Sequence, residues 1–210
     1  MLLLLQHFMK NQNNVTPGHG LLEKFLSKKR AKMANHLIQK HSAHNRILDI
    51  GCGVIPLFLM STNFDEKVGI DPSVNNSYKN YKDQELDLIG FDIETNQTLP
   101  FTDNSFDTVT MLAVFEHIEQ EKLPQVMKEI RRILKPNGIF IMTTPCPWSD
   151  KLLRVLAKFH LVSQEGMDEH KGAYGHKDLA KYLSAGGFDI NKMGFGYFEL
   201  FLNSWAVAKK

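Results

Sequence analysis

The pattern of apolar and polar residues predicts alternating strands and helices between residues 46 and 144. Five apolar segments have the length of buried strands: residues 46–50, 67–71, 86–93, 106–112 and 138–144. Helical patterns cover residues 54–60, 73–81 and 121–134. Strands that are apolar on both faces and alternate with helices are typical of a parallel sheet covered on two sides. We therefore predict a doubly wound α/β fold.

The two ends of the chain have different patterns. Residues 21 to about 41 carry apolar side chains at helical spacing beside basic ones, which predicts an N-terminal helix. Residues 176–185 are predicted as a helix, and residues 188–194 and 197–208 as two strands. Because only residues 194–196 are available as a turn, we predict an antiparallel hairpin at one edge of the sheet, turning at Gly194 and Gly196.

Composition and charge exclude several classes of protein. With 43% hydrophobic residues, 23% charged residues and a net charge of +2, the 210-residue chain is neither disordered nor fibrous, and it is long enough for one substantial core. Residues 1–50 hold eight Lys or Arg and two acids. This excess predicts either attraction to an acidic substrate, anionic lipid or nucleic acid, or simply a solvated helix face.

The cysteines and the N-terminal residues indicate the cellular compartment of the protein. Cys52 and Cys146 are too few for a disulfide framework, which favours a reducing environment. The opening MLLLLQHF has no basic residue before its short apolar run and no small-residue cleavage site behind it, unlike a signal peptide. No segment approaches the roughly 18 apolar residues of a membrane span. We therefore expect a cytoplasmic protein with no transmembrane segment.

The segment RILDIGCGVIP, residues 46–56, places a glycine turn directly after the first predicted strand. In a doubly wound sheet ligands bind at this turn, and glycine lets the backbone approach them closely. Gly51 and Gly53 fit the first two positions of the dinucleotide fingerprint G-x-G-x-x-G/A, but Pro56 occupies the last. Proline adds bulk there, which disfavours NAD, whereas it suits an early position of the following helix.

Three acids stand at equivalent places in three successive units: Asp49, Asp71 and Asp92. Asp71 closes the second strand eighteen residues after Gly53, where a carboxylate can accept bonds from both hydroxyls of a ribose. Asp92 lies at the end of the third predicted strand and could receive an amino group such as that of adenine. The alternative for each acid is a helix cap or a turn-forming residue.

Five segments in this order resemble the class I S-adenosylmethionine-dependent methyltransferases: ILDIGCG, VGIDPS, GFDIE, LPFTDNSFDTVTMLAVFEHI and LKPNGIFIMTTP. The resemblance covers about residues 44–145 and is greatest to the small-molecule, methyltransferase type 11-like branch, which includes ubiquinone-type O-methyltransferases and enzymes of polysaccharide synthesis. It implies a Rossmann-like, seven-stranded, mostly parallel sheet with an antiparallel C-terminal strand and helices on both faces. It also implies S-adenosyl-L-methionine as cofactor and S-adenosyl-L-homocysteine as product.

The resemblance further implies which residues contact the cofactor: Asp49, Gly51, Cys52, Gly53, Asp71, Pro72, Asp92, Ile93 and Leu112. Within this set, Asp49 would face the amino group of the methionine part, Asp71 would hold the ribose, and Asp92 would hold the adenine amine. The family's third glycine falls at position 55, where this chain has Ile55. Affinity or turn geometry is therefore expected to differ from the family pattern.

Methyl transfer is an in-line displacement in which the protein mainly aligns the nucleophile, and a general base helps if that nucleophile is a hydroxyl. His117 in AVFEHI is the candidate base, and a structural histidine is the alternative. The related E-x-x-E-H motif is associated with a divalent metal, but Ala113 replaces its first acid, so we expect no metal. Trp148, His170 and Tyr174 are candidate substrate contacts, although Trp148 could instead plug the insertion.

A single domain follows from these observations. We predict an N-terminal helical cap (1–43), a cofactor-binding core (44–145), an insertion or substrate lid (146–175) and a C-terminal helix and hairpin (176–210). The expected function is methyl transfer to a small or medium-sized acceptor, with oxygen as the favoured target. A catalytically silent cofactor-binding subunit is the main alternative, because of Ile55. An RNA methyltransferase and a nicotinamide oxidoreductase remain further alternatives, although we do not expect a nucleic-acid partner.

Overall fold

The computed structural model describes residues 21–41, 44–74, 85–96, 98–149 and 171–210. The strands in these ranges are β1 (Arg46–Ile50), β2 (Glu66–Asp71), β3 (Leu86–Gly90), β4 (Phe106–Leu112), β5 (Leu134–Pro145), β6 (Met193–Phe198) and β7 (Asn203–Lys209). The α-helices are α1 (Leu21–His41), α2 (Leu57–Ser61), α3 (Leu123–Ile133) and α4 (His176–Ala185). Phe115–His117 and Ile190–Lys192 form 3₁₀ turns.

The strands form one sheet in the order β3-β2-β1-β4-β5-β7-β6. Strands β1 to β5 pair in parallel, and β7 pairs antiparallel with both β5 and β6. The chain winds outward from β1 to β3 and then returns to the other side of β1 with β4. Ligands of open α/β sheets bind at such a switch point, beyond the carboxyl ends of the strands. The predicted seven-stranded, mostly parallel sheet with antiparallel C-terminal pairing is confirmed.

Helices cover both faces of the sheet, as predicted. Leu48 and Ile50 of β1 pack into the core shared with α3 and α4, whereas Ile47 packs into the core shared with α1 and α2. This alternation follows from the two-residue period of a strand, and a strand buried on both faces must be apolar on both. Within the described ranges, no helix is long and apolar enough to cross a membrane.

Several predicted elements have the bounds seen in the structure, and others differ. The first and fourth strands and the helix before the hairpin have the predicted bounds. β5 begins at Leu134 rather than at residue 138, and β6 and β7 begin at Met193 and Asn203 rather than at residues 188 and 197. The third strand ends at Gly90, before the predicted end at Ile93, because the chain turns around Asp92. The second helix begins at Leu57, directly after Pro56, as expected for a proline at a helix start. Most of the helix predicted over residues 73–81 lies outside the described residues.

The predicted hairpin turn at Gly194 and Gly196 is wrong. Both glycines lie inside β6, and Gly196 is paired with Trp205 of β7. A Cβ atom at Gly196 would lie 2.5 Å from the indole ring, closer than non-bonded atoms can approach, so this glycine makes room for Trp205. The chain turns instead at residues 199–202, where Glu199, Leu200 and Phe201 have φ of 53°, 54° and 67°.

Candidate active site

The glycine turn after β1 lies at the switch point of the sheet, and its two glycines have different surroundings. Gly51 has φ of 73°, and a Cβ atom there would overlap the side chain of Val114, which follows β4. Gly53 has φ of 67°, and no atom of the described residues lies within 4 Å of the position of its Cβ. Both glycines are therefore required by backbone conformation. Only Gly53 borders open space in which a ligand could approach the backbone.

Asp71 at the end of β2 connects this strand to the glycine turn. Its Oδ2 atom accepts a hydrogen bond from the backbone N–H of Gly53 at 2.9 Å, and its Oδ1 atom accepts one from the N–H of Ser73 at 2.8 Å. A carboxylate offers about four acceptor positions, so each oxygen keeps room for a further donor. The side chain is partly exposed. Asp71 can therefore hold the turn and still accept two hydroxyl groups.

Asp49 lies beneath the same turn and is only 4% exposed. The hydroxyl of Thr110, its register partner on β4, donates a hydrogen bond to Oδ1 of Asp49 at 2.7 Å. Burial raises the pKa of Asp49 to about 7, against the lowering effect of the Thr110 bond and with a further increase from the charge of Asp71. A cationic group placed nearby would stabilise the ionised form of this carboxylate.

Cys52 belongs to the glycine turn, and its side chain packs against β2. A Cβ atom on Gly69 would overlap its sulfur, so the glycine of β2 provides the space that the thiol fills. Burial raises the pKa of Cys52 well above its usual range, and the charges of Asp49 and Asp71 raise it further. A buried thiol held in its protonated form is unreactive. The structure therefore supports a packing role for Cys52 rather than a nucleophilic one.

Asp92 organises the turn after β3. Its carboxylate accepts hydrogen bonds from the Thr95 hydroxyl and from the N–H of Glu94, the latter at 2.8 Å. The Thr95 bond is the main cause that lowers the pKa of Asp92, and the backbone bonds add to it against the effect of burial. These contacts establish the turn-forming role that was the alternative for this residue. The adenine contact stays a prediction.

Ile93 lies beside this turn and lines a groove of about 580 Å³ between the turn and the start of α3. Lys122 and Val126 line its other side. Among the described residues that line this groove, none belongs to the glycine turn or to β2. The groove therefore flanks the switch point without containing it, and we base the site on the contacts of Gly53 and Asp71.

The end of β4 brings a second buried acid to the site. Leu112 is half-buried, Ala113 has φ of 58°, and the chain then enters the short 3₁₀ turn that carries Glu116 and His117. Glu116 is 2% exposed and accepts a hydrogen bond from the Thr144 hydroxyl at 3.0 Å. His117 is half-buried. Both residues therefore occupy the carboxyl edge of the sheet, as predicted for His117.

Burial raises the pKa of Glu116, and the positive charges of His117 and Arg30 act in the opposite direction. Arg30 belongs to α1, so the N-terminal helix reaches the end of β4. From the sequence, Glu116 was predicted only as the neighbour of His117. Its place directly after an apolar strand was a usable signal, but its burial depends on Thr144 and on helices distant in sequence.

The candidate substrate residues have different surroundings. Trp148 is 52% exposed, so it is not enclosed as a plug would be. Tyr174 is only 3% exposed, and its ring meets those of Phe115 and Tyr182 edge to face at 4.8 Å and 5.8 Å. This core position argues against the predicted substrate contact of Tyr174. His170 lies outside the described residues.

Lys171 was not predicted, and it connects the end of the insertion to two parts of the site. Its backbone N–H donates to the carbonyl of Glu116 at 2.8 Å. Its ammonium group forms ion pairs with Glu94, in the Asp92 turn, and with Glu119, at 2.9 Å and 3.1 Å. The end of the insertion is thereby held at the carboxyl edge of the sheet.

Comparison with known proteins gives a family match and several relatives that are named as methyltransferases. Residues 48–142 match the family described as "Methyltransferase domain". The uncharacterized protein MJ0638 of Methanocaldococcus jannaschii is 31% identical over 153 residues, which are 72% of this chain and 58% of that protein. Sterol 4-C-methyltransferase strm-1 of Caenorhabditis elegans is 32% identical over 129 residues, which are 58% of this chain and 36% of that protein. The chain thus spans between 36% and 58% of the length of these curated relatives.

The fold is shared with solved structures. A SAM-dependent methyltransferase from Archaeoglobus fulgidus superposes with a TM-score of 0.61 at 17% identity, covering 89% of this chain and 99% of that one. At this identity the likeness concerns the fold alone. The resemblance to the class I S-adenosylmethionine-dependent methyltransferases is confirmed, because the residues that match the methyltransferase domain family include the glycine turn, β2 and β4.

Proposed function

We propose that the protein transfers a methyl group from S-adenosylmethionine to a small or medium-sized acceptor, with oxygen as the atom methylated. The observation that carries this proposal is the arrangement of Gly53 and Asp71. A glycine backbone beside open space and a carboxylate with unused acceptor positions meet at the switch point of the sheet. This pair suits a ligand that brings a ribose against a glycine turn.

The residues around this pair fit the cofactor. The backbone at Gly51, Cys52 and Gly53 would hold the methionine part, with Asp49 serving its ammonium group. Asp71 would accept hydrogen bonds from the ribose hydroxyls, and Asp92 and Ile93 would contact the adenine. Pro72 and Leu112 would border the same ligand. When bound, S-adenosylmethionine supplies an electrophilic methyl group on a sulfonium that departs as a neutral thioether.

The acceptor hydroxyl must lose a proton as its oxygen is methylated. We assign this proton to the imidazole of His117, which lies half-buried at the carboxyl end of β4. Glu116 is buried next to it, and the charges of the two groups interact. A carboxylate beside an imidazole favours the imidazolium that forms when the base takes up the proton. Glu116 is thus a positioning residue for His117.

The acceptor pocket is proposed to lie between the glycine turn, the N-terminal cap (1–43) and the insertion (146–175). Two described contacts support this arrangement. Arg30 of the cap acts on the charge of Glu116, and Lys171 at the end of the insertion donates to the Glu116 carbonyl. Both parts of the chain therefore converge on the residue next to the proposed base.

Calorimetric titration of the full chain with S-adenosylhomocysteine, and separately with NAD, tests the cofactor. We expect binding of the first ligand only. Binding of NAD without binding of S-adenosylhomocysteine would contradict the assignment of S-adenosylmethionine as the cofactor. Transfer of a labelled methyl group to a panel of hydroxylated compounds, carbon nucleophiles and RNA then tests the acceptor. Label in hydroxylated compounds supports the proposal, label in the other acceptors corrects it, and cofactor binding without any transfer favours the silent subunit.

The name of one relative, a sterol 4-C-methyltransferase, specifies a carbon atom of a lipid as acceptor. A carbon acceptor is therefore included in that panel.

His117→Ala and Glu116→Gln separate the roles of the two residues in transfer to a hydroxyl. We expect His117→Ala to lower kcat by about a hundredfold or more, as for loss of a general base. Glu116→Gln should lower kcat while the KM of the cofactor stays unchanged, because it removes the charge next to the proposed base and leaves the cofactor contacts in place.

A further inference from the structure

The turn between β6 and β7 exposes large apolar side chains. Leu200 is 89% exposed, Phe201 63% and Tyr197 48%, and the rings of Tyr197 and Phe201 lie 5.6 Å apart. Glu199, Leu200 and Phe201 all have positive φ, a conformation that costs roughly 1–2 kcal/mol for a residue with a Cβ atom. A cluster of exposed aromatic and aliphatic groups on a tight turn marks an interaction site.

Two other segments extend this surface. The N–H of Cys146 donates to the carbonyl of Leu202 at 2.9 Å, and the Ser149 hydroxyl donates to the same carbonyl. These bonds hold the half-exposed Trp148 beside the hairpin turn. On the other side, the positive charges of Arg30 and Lys29 act on Glu199 of the turn, so the first half of α1 lies next to it.

The first half of α1 adds exposed lysines and one more aromatic ring. Phe25 is 53% exposed, and the ammonium group of Lys29 lies 5.2 Å from the centre of its ring. Lys28 and Lys32 are exposed on the same half of the helix. We call the whole area the hairpin-tip surface, and its residues are Phe25, Lys28, Lys29, Lys32, Trp148, Tyr197, Leu200 and Phe201.

The hairpin-tip surface lies at the same edge of the sheet as the glycine turn. β7 is antiparallel to β5 and β6 is antiparallel to β7, so β6 runs in the direction of β1 to β5. The end of β6 and the ends of β1 and β2 therefore share the carboxyl edge. α1 precedes β1, whose start lies at the amino edge, so the beginning of α1 is the part near the carboxyl edge.

We propose that the hairpin-tip surface docks the protein reversibly on an anionic lipid bilayer. Leu200 and Phe201 would enter the headgroup region, the aromatic rings would lie at the interface, and Lys28 and Lys32 would contact anionic lipids. Apolar insertion and basic charge together are the two signals that stable peripheral binding requires. The exposed lysines Lys28, Lys29 and Lys32 give this surface a positive charge, which favours this occupant over an uncharged apolar partner.

Docking in this orientation would turn the acceptor side of the enzyme towards the membrane. The proposal goes beyond methyl transfer and does not depend on it, because cofactor binding and lipid binding involve different residues. It predicts that an acceptor dissolved in the bilayer reaches the site without crossing water.

Sedimentation of the full chain with lipid vesicles tests the proposal. We expect binding to vesicles of phosphatidylcholine with phosphatidylglycerol, weaker binding to phosphatidylcholine alone, and loss of binding as salt is raised. The double variant Leu200→Ser/Phe201→Ser should lower the partition coefficient at least about tenfold. Lys28→Glu/Lys32→Glu should do the same for anionic vesicles only, because a lysine near such a surface is worth about fivefold in binding.

Matched control variants lie at the opposite edge of the sheet. Ile190 is 53% exposed and precedes β6, and Lys40 and Lys192 are exposed at the end of α1 and beside Ile190. Ile190→Ser and Lys40→Glu/Lys192→Glu remove the same kinds of group, and we expect both to bind vesicles like the wild type. Thermal unfolding and titration with S-adenosylhomocysteine confirm that each variant is folded.

Three results would overturn the proposal. The first is absence of wild-type binding to anionic vesicles, and the second is an equal loss of binding in the tip and control variants. The third is a wild-type dimer in solution that ignores vesicles and dissociates in Leu200→Ser/Phe201→Ser, which would make the surface an interface between two copies. Failure of S-adenosylhomocysteine to bind would contradict the proposed function. It would not affect the conclusion drawn from vesicle binding.

Discussion

The carboxylate of Asp71 accepts a hydrogen bond from the backbone N–H of Gly53 at 2.9 Å, across a separation of 18 residues. This bond fixes the glycine turn to the end of the neighbouring strand before any ligand is present. The conformation that a ribose would meet is therefore held by the residue that is proposed to bind it. Substitutions of Asp71 should for this reason affect both the turn and the ligand.

Asp71→Ala should weaken S-adenosylhomocysteine binding at least tenfold, because each hydrogen bond to a charged acceptor contributes roughly 1.5–3 kcal/mol. The variant should remain folded, with stability lowered by about 1–3 kcal/mol through the unpaired N–H groups of Gly53 and Ser73. Asp71→Asn is the matched control. Its amide oxygen can still accept from Gly53, so stability should largely return while affinity stays reduced. Calorimetric affinities within twofold of wild type for both variants would contradict the role in ribose binding.

Gly51→Ala and Gly53→Ala form a second matched pair. Both variants place a side chain at positive φ, which should cost about 1 kcal/mol or more in the free energy of unfolding. Gly51→Ala should cost several kcal/mol more because its methyl group overlaps Val114, and Val114→Ala should recover part of this loss. Gly53→Ala has no such clash with the described residues, so it should mainly reduce cofactor affinity. Equal stabilities of the two variants in urea unfolding would show that Val114 does not constrain the turn.

Asp49 should make the stability of the protein depend on pH. Its pKa is raised to about 7 from the ordinary value of 3.8, so the folded state binds a proton that the unfolded state has lost between these pH values. The stabilisation of the folded state by this proton is therefore fully present below about pH 4. It is lost as the pH rises towards 7, which lowers the free energy of unfolding by roughly 4 kcal/mol at most. Asp49→Asn keeps an acceptor for the Thr110 hydroxyl and cannot ionise.

Urea unfolding from pH 4 to 8 measures this effect. Wild type should lose stability relative to Asp49→Asn as the pH rises, and Thr110→Val should extend the loss to higher pH because it removes the bond that favours the ionised form. Parallel curves for wild type and Asp49→Asn over this range would mean that Asp49 ionises normally.

Ile55→Gly tests the position where the family pattern has its third glycine. Ile55 is 40% exposed, so the alternative in which it packs as a core residue is not supported. The change should cost only about 0.5–1 kcal/mol, through backbone entropy, and affinity for S-adenosylhomocysteine should stay the same or increase. Ile190→Gly, at another exposed isoleucine, is the control for the entropy cost. A loss of 2–5 kcal/mol in Ile55→Gly alone would indicate a buried side chain.

The sequence by itself determined the parallel strands of the sheet and the position of the glycine turn at its switch point. Strands buried on both faces must be apolar throughout, so β1 and β4 could be located with correct bounds from local composition. Gly51 and Gly53 were informative because positive φ is nearly free only for glycine. The acids at the ends of β1 and β2 and just after β3 gained meaning from the rule that the carboxyl ends of parallel strands lie together.

Contacts between residues distant in sequence decided the rest. Gly194 and Gly196 favoured a turn locally, but the space needed by Trp205 keeps them inside β6, and antiparallel pairing with β7 holds three residues with side chains at positive φ instead. Burial likewise separated residues of similar local pattern, since Tyr174 packs in the core and Glu116 is enclosed by Thr144 and its neighbours. Packing selects these arrangements because the apolar area that it removes from water outweighs the preference of any single residue.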